Sequence, residues 1–102
     1  MMPHNHNFDT NSWPFDCPIE TDIVTTKFVY EVSAPIVQVL RYLDGGWQFM
    51  CNTTEDPNDG LVLCLGCLYE KHPEIIKFSK LQLGYEMYQA GLFKKWKTER
   101  FE

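Results

Sequence analysis

With 102 residues, 44% of them hydrophobic and 15% aromatic, the chain is long enough to bury a core of its own and too apolar to be disordered. A formal net charge of −5 argues against general affinity for nucleic acid or an anionic membrane, which require the opposite sign, and makes a basic protein the better electrostatic match. No apolar run reaches the length of a membrane span and the N-terminus lacks the order of a signal peptide. The expected location is therefore the cytoplasm, with the four cysteines as reduced thiols.

Residues 1–12, rich in Asn and His, read as a mobile arm, and residues 13–102 as a single domain. The acidic Asp9, Asp16, Glu20 and Asp22 crowd the first part of the chain, while Lys94, Lys95, Lys97 and Arg100 crowd the last. Trp13, Phe15 and Ile19, spaced by two prolines, suggest an extended segment lying against the domain. Residues 23–31 are strongly β-prone, and their alternation favours Val24, Thr26, Phe28 and Tyr30 as the inward face. Ser33-Ala34-Pro35 breaks the run.

The chain is organised around residues 36–51. Two runs of β-branched and aromatic residues flank Asp44-Gly45-Gly46, whose glycines tolerate the positive φ of a tight reversal, so a β-hairpin is predicted. Trp47, Phe49 and Cys51 share the inward face of its second arm. On the first arm Val37, Val39 and Leu43 are expected inward, with Arg41 the awkward member of that face.

Residues 52–60 form a polar loop in which Asp56-Pro57 has the chemistry of a helix cap. Beyond it the pattern admits a helix, but favours a strand over 61–64 followed by helical turns over 65–71. His72-Pro73 ends that helix and opens another short one. Residues 85–89 read as a last strand, and residues 92–102 as a frayed helix or a tail that carries Phe93 and Trp96 back to the body. The expected fold is α+β: a twisted, mostly antiparallel sheet of about five strands with one or two short helices on one face.

Cys64-Leu65-Gly66-Cys67 is the sharpest local motif. Two thiols at this spacing can share a metal or close a disulfide, and at a strand-to-helix junction the helix dipole favours a thiolate. Zinc needs further ligands, for which Cys17, Cys51 and His72 are the candidates; against it stands the plain role of Cys64 and Cys67 as small apolar core residues, so no metal or cofactor is expected. His4 and His6 could capture adventitious metal. No Gly-x-Ser-x-Gly elbow, HExxH, phosphate-binding loop or dinucleotide fingerprint occurs, so no catalytic residue is assigned. Lys94-Lys95-Trp96-Lys97 interleaves base and aromatic but is thin support for a nucleic-acid site on an acidic protein.

Cys17-Pro18-Ile19-Glu20-Thr21, Val24-Thr25-Thr26-Lys27-Phe28-Val29, Ser33-Ala34-Pro35-Ile36 and Asp44-Gly45-Gly46-Trp47-Gln48-Phe49 follow one another in an order continued by Leu63-Cys64-Leu65, His72-Pro73-Glu74-Ile75 and Gly84-Tyr85-Glu86. Together they resemble a small bacterial domain of unknown function that is also described as an immunity-protein domain of polymorphic toxin systems. His72-Pro73 departs from it, standing where Asp-Pro is expected. The resemblance implies a stand-alone α+β domain that binds and neutralises a toxin, and it supplies no catalytic residue. The first functional expectation is thus a non-enzymatic, immunity-type protein-binding domain facing a basic toxin, with Glu55, Asp56, Asp59, Tyr42 and Tyr88 as partner-binding residues. The alternative is a thiol-based metal-binding or redox protein centred on Cys64 and Cys67.

Overall fold

The computed structural model describes His6 and residues 8–52, 56–91 and 94–102. Six strands, β1 (Asp22–Thr26), β2 (Gln38–Arg41), β3 (Trp47–Met50), β4 (Gly60–Cys64), β5 (Tyr85–Gln89) and β6 (Trp96–Arg100), form one open sheet in the order β4-β1-β3-β2-β5-β6. Among the described residues only β1 and β3 run parallel; every other pairing is antiparallel. Two short helices, α1 (Lys27–Val32) and α2 (Leu65–Lys71), and a 3-10 segment over Pro73–Phe78 supply Val29, Leu65, Leu68, Ile75 and Phe78 to the core beneath the sheet. The fold is α+β, and no described helix is long and apolar enough to cross a membrane.

The hairpin sits at the sheet's centre. Arg41 faces Trp47 across the turn, Gly45 takes φ +94, and the Gly46 N–H closes on Asp44 Oδ1 at 2.8 Å. Trp47, Phe49 and Cys51 are buried as their alternation requires. Val39 is buried too, whereas Leu43, expected inward, is exposed: β2 ends at Arg41, so Leu43 lies in the turn and takes no part in the alternation.

Arg41 takes the inward place, and three contacts make a buried guanidinium tolerable. Its Nη2 meets Asp16 Oδ1 at 2.8 Å, its Nη1 donates to the Leu81 carbonyl at 3.2 Å, and its planar head lies 4.4 Å over the Trp47 ring. The Asp16 segment is thereby pinned to the hairpin.

The expectation of one strand over 23–31 is corrected. Thr26, paired with Gly60 as the last residue of β1, also caps a helix, its hydroxyl accepting the Val29 N–H at 3.2 Å. The helix lasts six residues and stops where Ser33 adopts φ 58. Of the residues expected inward, Thr26 is buried and Phe28 and Tyr30 pack against the core from α1, but Val24 is 39% exposed, and Ile23 and Thr25, expected outward, are fully buried. The Thr25 hydroxyl reaches the Phe49 carbonyl at 2.8 Å, which removes the penalty of burying it.

Two later expectations stand and one is extended. Strand β4 passes directly into α2, and Pro73 opens the 3-10 segment. The strand over 85–89 is not the last: residues 96–100 pair antiparallel with it as β6, with Trp96 packed at 5.1 Å against Phe78.

Asp16→Asn tests the buried guanidinium. The hydrogen bond from Arg41, aided by its charge, outweighs burial and holds the Asp16 carboxyl below the ordinary carboxylate value. Since the folded value lies below the unfolded one, the contribution is present at neutral pH and disappears as pH falls through the folded value. The Asp16 side chain is 68% exposed, so its loss is expected to cost only about 1 kcal/mol in urea unfolding, with the difference from the wild type vanishing in acid.

Candidate dithiol and histidine centre

The junction between β4 and α2 is built by the thiols themselves. Cys64, the last residue of β4, occupies the N-cap of α2, and its sulfur accepts the Cys67 N–H at 3.2 Å. The other first-turn N–H groups meet the preceding extended segment: Leu65 donates to the Thr21 carbonyl at 2.8 Å and Gly66 to the Ile19 carbonyl at 2.9 Å. The start of this helix is therefore satisfied by protein acceptors.

Onto this junction folds His6. Its side chain is 2% exposed, and its Nδ1–H donates to Glu70 Oε2 at 2.8 Å, one turn along α2. That bond fixes the tautomer and turns Nε2 toward the thiols, 3.8 Å from Cys64 Sγ. Cys64 and Cys67 sulfurs lie 3.0 Å apart, and the donor atoms of His6, Cys64 and Cys67 all lie within 4.8 Å of one another. Phe8 stacks on Trp13 at 5.6 Å and meets Tyr69 edge-on at 5.0 Å, holding the N-terminal segment along α2.

Gly66 makes this approach possible. A Cβ there would stand 2.5 Å from Ile19 Cγ2 and 2.8 Å from His6 Nε2, closer than side-chain carbons come to other atoms. Gly66, one of the two residues between the thiols, is thus the floor on which the histidine rests.

The electrostatics follow from burial. Desolvation, then the neighbouring Cys64, pushes the Cys67 thiol up to about 12. Tyr30, on α1, is raised above the ordinary tyrosine value, chiefly by its own burial. A thiol–disulfide oxidoreductase uses an exposed thiol of lowered pKa. Here Cys64 is buried under His6, and the more exposed Cys67 is the one held protonated.

The donor set suits a metal better. With Zn–S near 2.3 Å and Zn–N near 2.05 Å, a tetrahedral ion separates two sulfurs by about 3.8 Å and a sulfur from a nitrogen by about 3.6 Å. The Cys64–His6 distance already matches, the two sulfurs must part by about 0.8 Å, and all three donor atoms lie within 4.8 Å of one another. Borderline imidazole with two soft thiolates selects zinc over magnesium or calcium.

The other residues singled out from the sequence go elsewhere. Cys51 Sγ lies 3.3 Å from the Thr26 hydroxyl, and His72 donates from Nε2 to the Val29 carbonyl at 2.8 Å while its Nδ1 meets Glu74. Neither they nor Cys17 enter the cluster. Asp56 caps the Pro57–Asp59 turn, accepting the Asn58 N–H at 2.9 Å, and Asp59 pairs with Lys27 at 3.1 Å. Tyr42 and Tyr88 lie on the helix-free face of the sheet, bonded to Gln48 and Glu99. Glu55, His4 and Phe93 lie outside the described residues. A depression of ≈ 330 Å³ lined by Pro35, Ile36, Glu74, Lys77, Phe78, Gln89 and Trp96 shares no residue with the cluster.

Comparison with family models, with curated proteins and with solved structures finds no match for this chain.

Gly66→Ala separates packing from propensity. Helix propensity alone would favour alanine by about 1 kcal/mol. Overpacking against His6 and Ile19 costs about 1–3 kcal/mol, so the variant is expected to melt below the wild type. A higher Tm would mean that His6 does not occupy this place.

Proposed function

We propose that this protein binds a zinc-like divalent metal through His6, Cys64 and Cys67. The observation that carries the reading is the convergence of three ligand atoms from segments 58 residues apart in sequence, with the histidine's other nitrogen already held by a carboxylate. A carboxylate behind a histidine is the arrangement that orients metal-bound imidazole and raises its basicity. Because the centre joins the N-terminal segment to the β4–α2 junction, the bound ion acts as a staple. At a free concentration of about a hundred times Kd it would stabilise the folded chain by about 2.7 kcal/mol.

Zinc titration against a competing chromophoric chelator is expected to show one ion per chain and a rise in Tm on loading. Cys64→Ser or Cys67→Ser is expected to abolish tight binding, and Glu70→Leu to weaken it about 10–100-fold without removing a ligand. A wild-type chain that competes no better than the Cys64→Ser variant overturns the reading.

A second reading is an immunity-type, non-enzymatic domain that binds a basic toxin. It is supported by the acidic net charge and by the helix-free face of the sheet, where Tyr42 and Tyr88 lie with the exposed Val24 and Val62. It expects that a basic toxin encoded beside the gene co-elutes with the chain, and that Tyr42→Ala with Tyr88→Ala weakens the complex at least about tenfold. Unchanged affinity would remove these tyrosines from the interface.

A further inference from the structure

The spacing of the two sulfurs has a second meaning. Metal coordination would hold them about 3.8 Å apart, and a disulfide about 2.05 Å. At 3.0 Å they stand nearly midway, so either state is reached by moving each sulfur less than about 1 Å. Each state uses both sulfurs, so the two exclude one another.

We infer that the centre is a redox-controlled metal site, in which a hydroperoxide closes Cys64 and Cys67 into a disulfide and expels the ion. This rests on the zinc reading above. The chemistry needs no group beyond the peroxide and water. The more accessible Cys67 thiolate, generated by coordination to the metal, attacks the outer peroxide oxygen; the O–O bond breaks, leaving Cys67 sulfenic acid and an alkoxide that takes a proton from water. The Cys64 sulfur then attacks the Cys67 sulfur, the S–S bond forms, and hydroxide leaves and is protonated. Two electrons pass from the sulfur pair to the peroxide, and the products are the disulfide, an alcohol, water and free metal. With hydrogen peroxide the alcohol is a second water.

Three features of the site favour this course. Cys64 lies against Cys67 from the start, so the sulfenic acid is resolved within the same turn of chain. The Cys67 N–H that points at Cys64 Sγ keeps the pair in register. His6 has no role in the disulfide, so oxidation withdraws the metal-mediated link between the N-terminal segment and α2 and leaves the Glu70 bond and the aromatic contacts to hold it. The thiol pair thus sets both metal occupancy and the grip on the N-terminal segment.

The test uses the full chain loaded with one equivalent of zinc, whose retention is first verified against the chelator. Hydrogen peroxide at a few equivalents is then added, with released zinc read by a chromophoric dye and the protein by intact mass and peptide mapping. The expected result is release of the bound zinc together with a loss of about 2 Da mapped to a Cys64–Cys67 disulfide, both reversed by dithiothreitol and fresh zinc. Hydrogen exchange of residues 8–13 is expected to rise on oxidation. Zinc that stays bound under peroxide, or zinc lost with oxygen added to one cysteine and no disulfide, overturns the switch while leaving the zinc reading intact. A chain that takes up no zinc at the first step overturns both.

Discussion

An unbroken file of aromatic rings holds this molecule together. Phe8, Trp13, Phe15, Trp47, Phe49, Phe78 and Trp96 each touch the next with centroids between 5.1 and 6.3 Å. The file starts on the N-terminal segment, crosses the core at the hairpin and ends on the outermost strand. Such pairs add about 0.5–1.5 kcal/mol each beyond the area they bury, and their geometry is directional as well as adhesive. Trp47 is its pivot, because the Arg41 guanidinium covers one of its contacts while Phe15 and Phe49 take others. The path of the N-terminal segment, and with it the position of His6, therefore follows from packing at the centre of the sheet.

What could be read from the sequence was local. The hairpin announced itself through Asp44-Gly45-Gly46 and the alternation of Trp47, Phe49 and Cys51, because turn chemistry and period two act within a few residues. The passage from strand to helix at Cys64 and the breaks at His72-Pro73 were legible for the same reason. The switch at Thr26 was not: Thr25-Thr26 fits a strand by propensity, and only the capping bond to Val29 shows that the ladder ends there. Strand β6 leaves no signal in the sequence because its residues, Trp96 to Arg100, are mostly charged and exposed, and a polar edge strand carries almost no hydrophobic period.

The site was half legible. The spacing of Cys64 and Cys67 points to shared chemistry and the pattern offers Cys17, Cys51 and His72 as third donors, but it is His6 that approaches. Nothing in local pattern links residue 6 to residue 64. The one signal available was Gly66, a glycine inside a helical run, which implies close approach of something from outside. The aromatic residues Phe8 and Trp13 then say from which direction it comes. A metal centre assembled in this way is a tertiary property and not a motif.

The pairing order of the sheet also bears on how the chain finds its structure. The hairpin strands β2 and β3 are neighbours in sequence, whereas β1 meets β3 through Val24 and Gln48, β1 meets β4 from Asp22 to Cys64, and β2 meets β5 from Gln38 to Tyr88. Loop-closure entropy makes the short pairing the earliest nucleus and the distant ones late. Strand β4 meets the sheet only through β1, so the Cys64 end of the β4–α2 junction is tied to the hairpin at second hand, across a pairing that closes a loop of about forty residues.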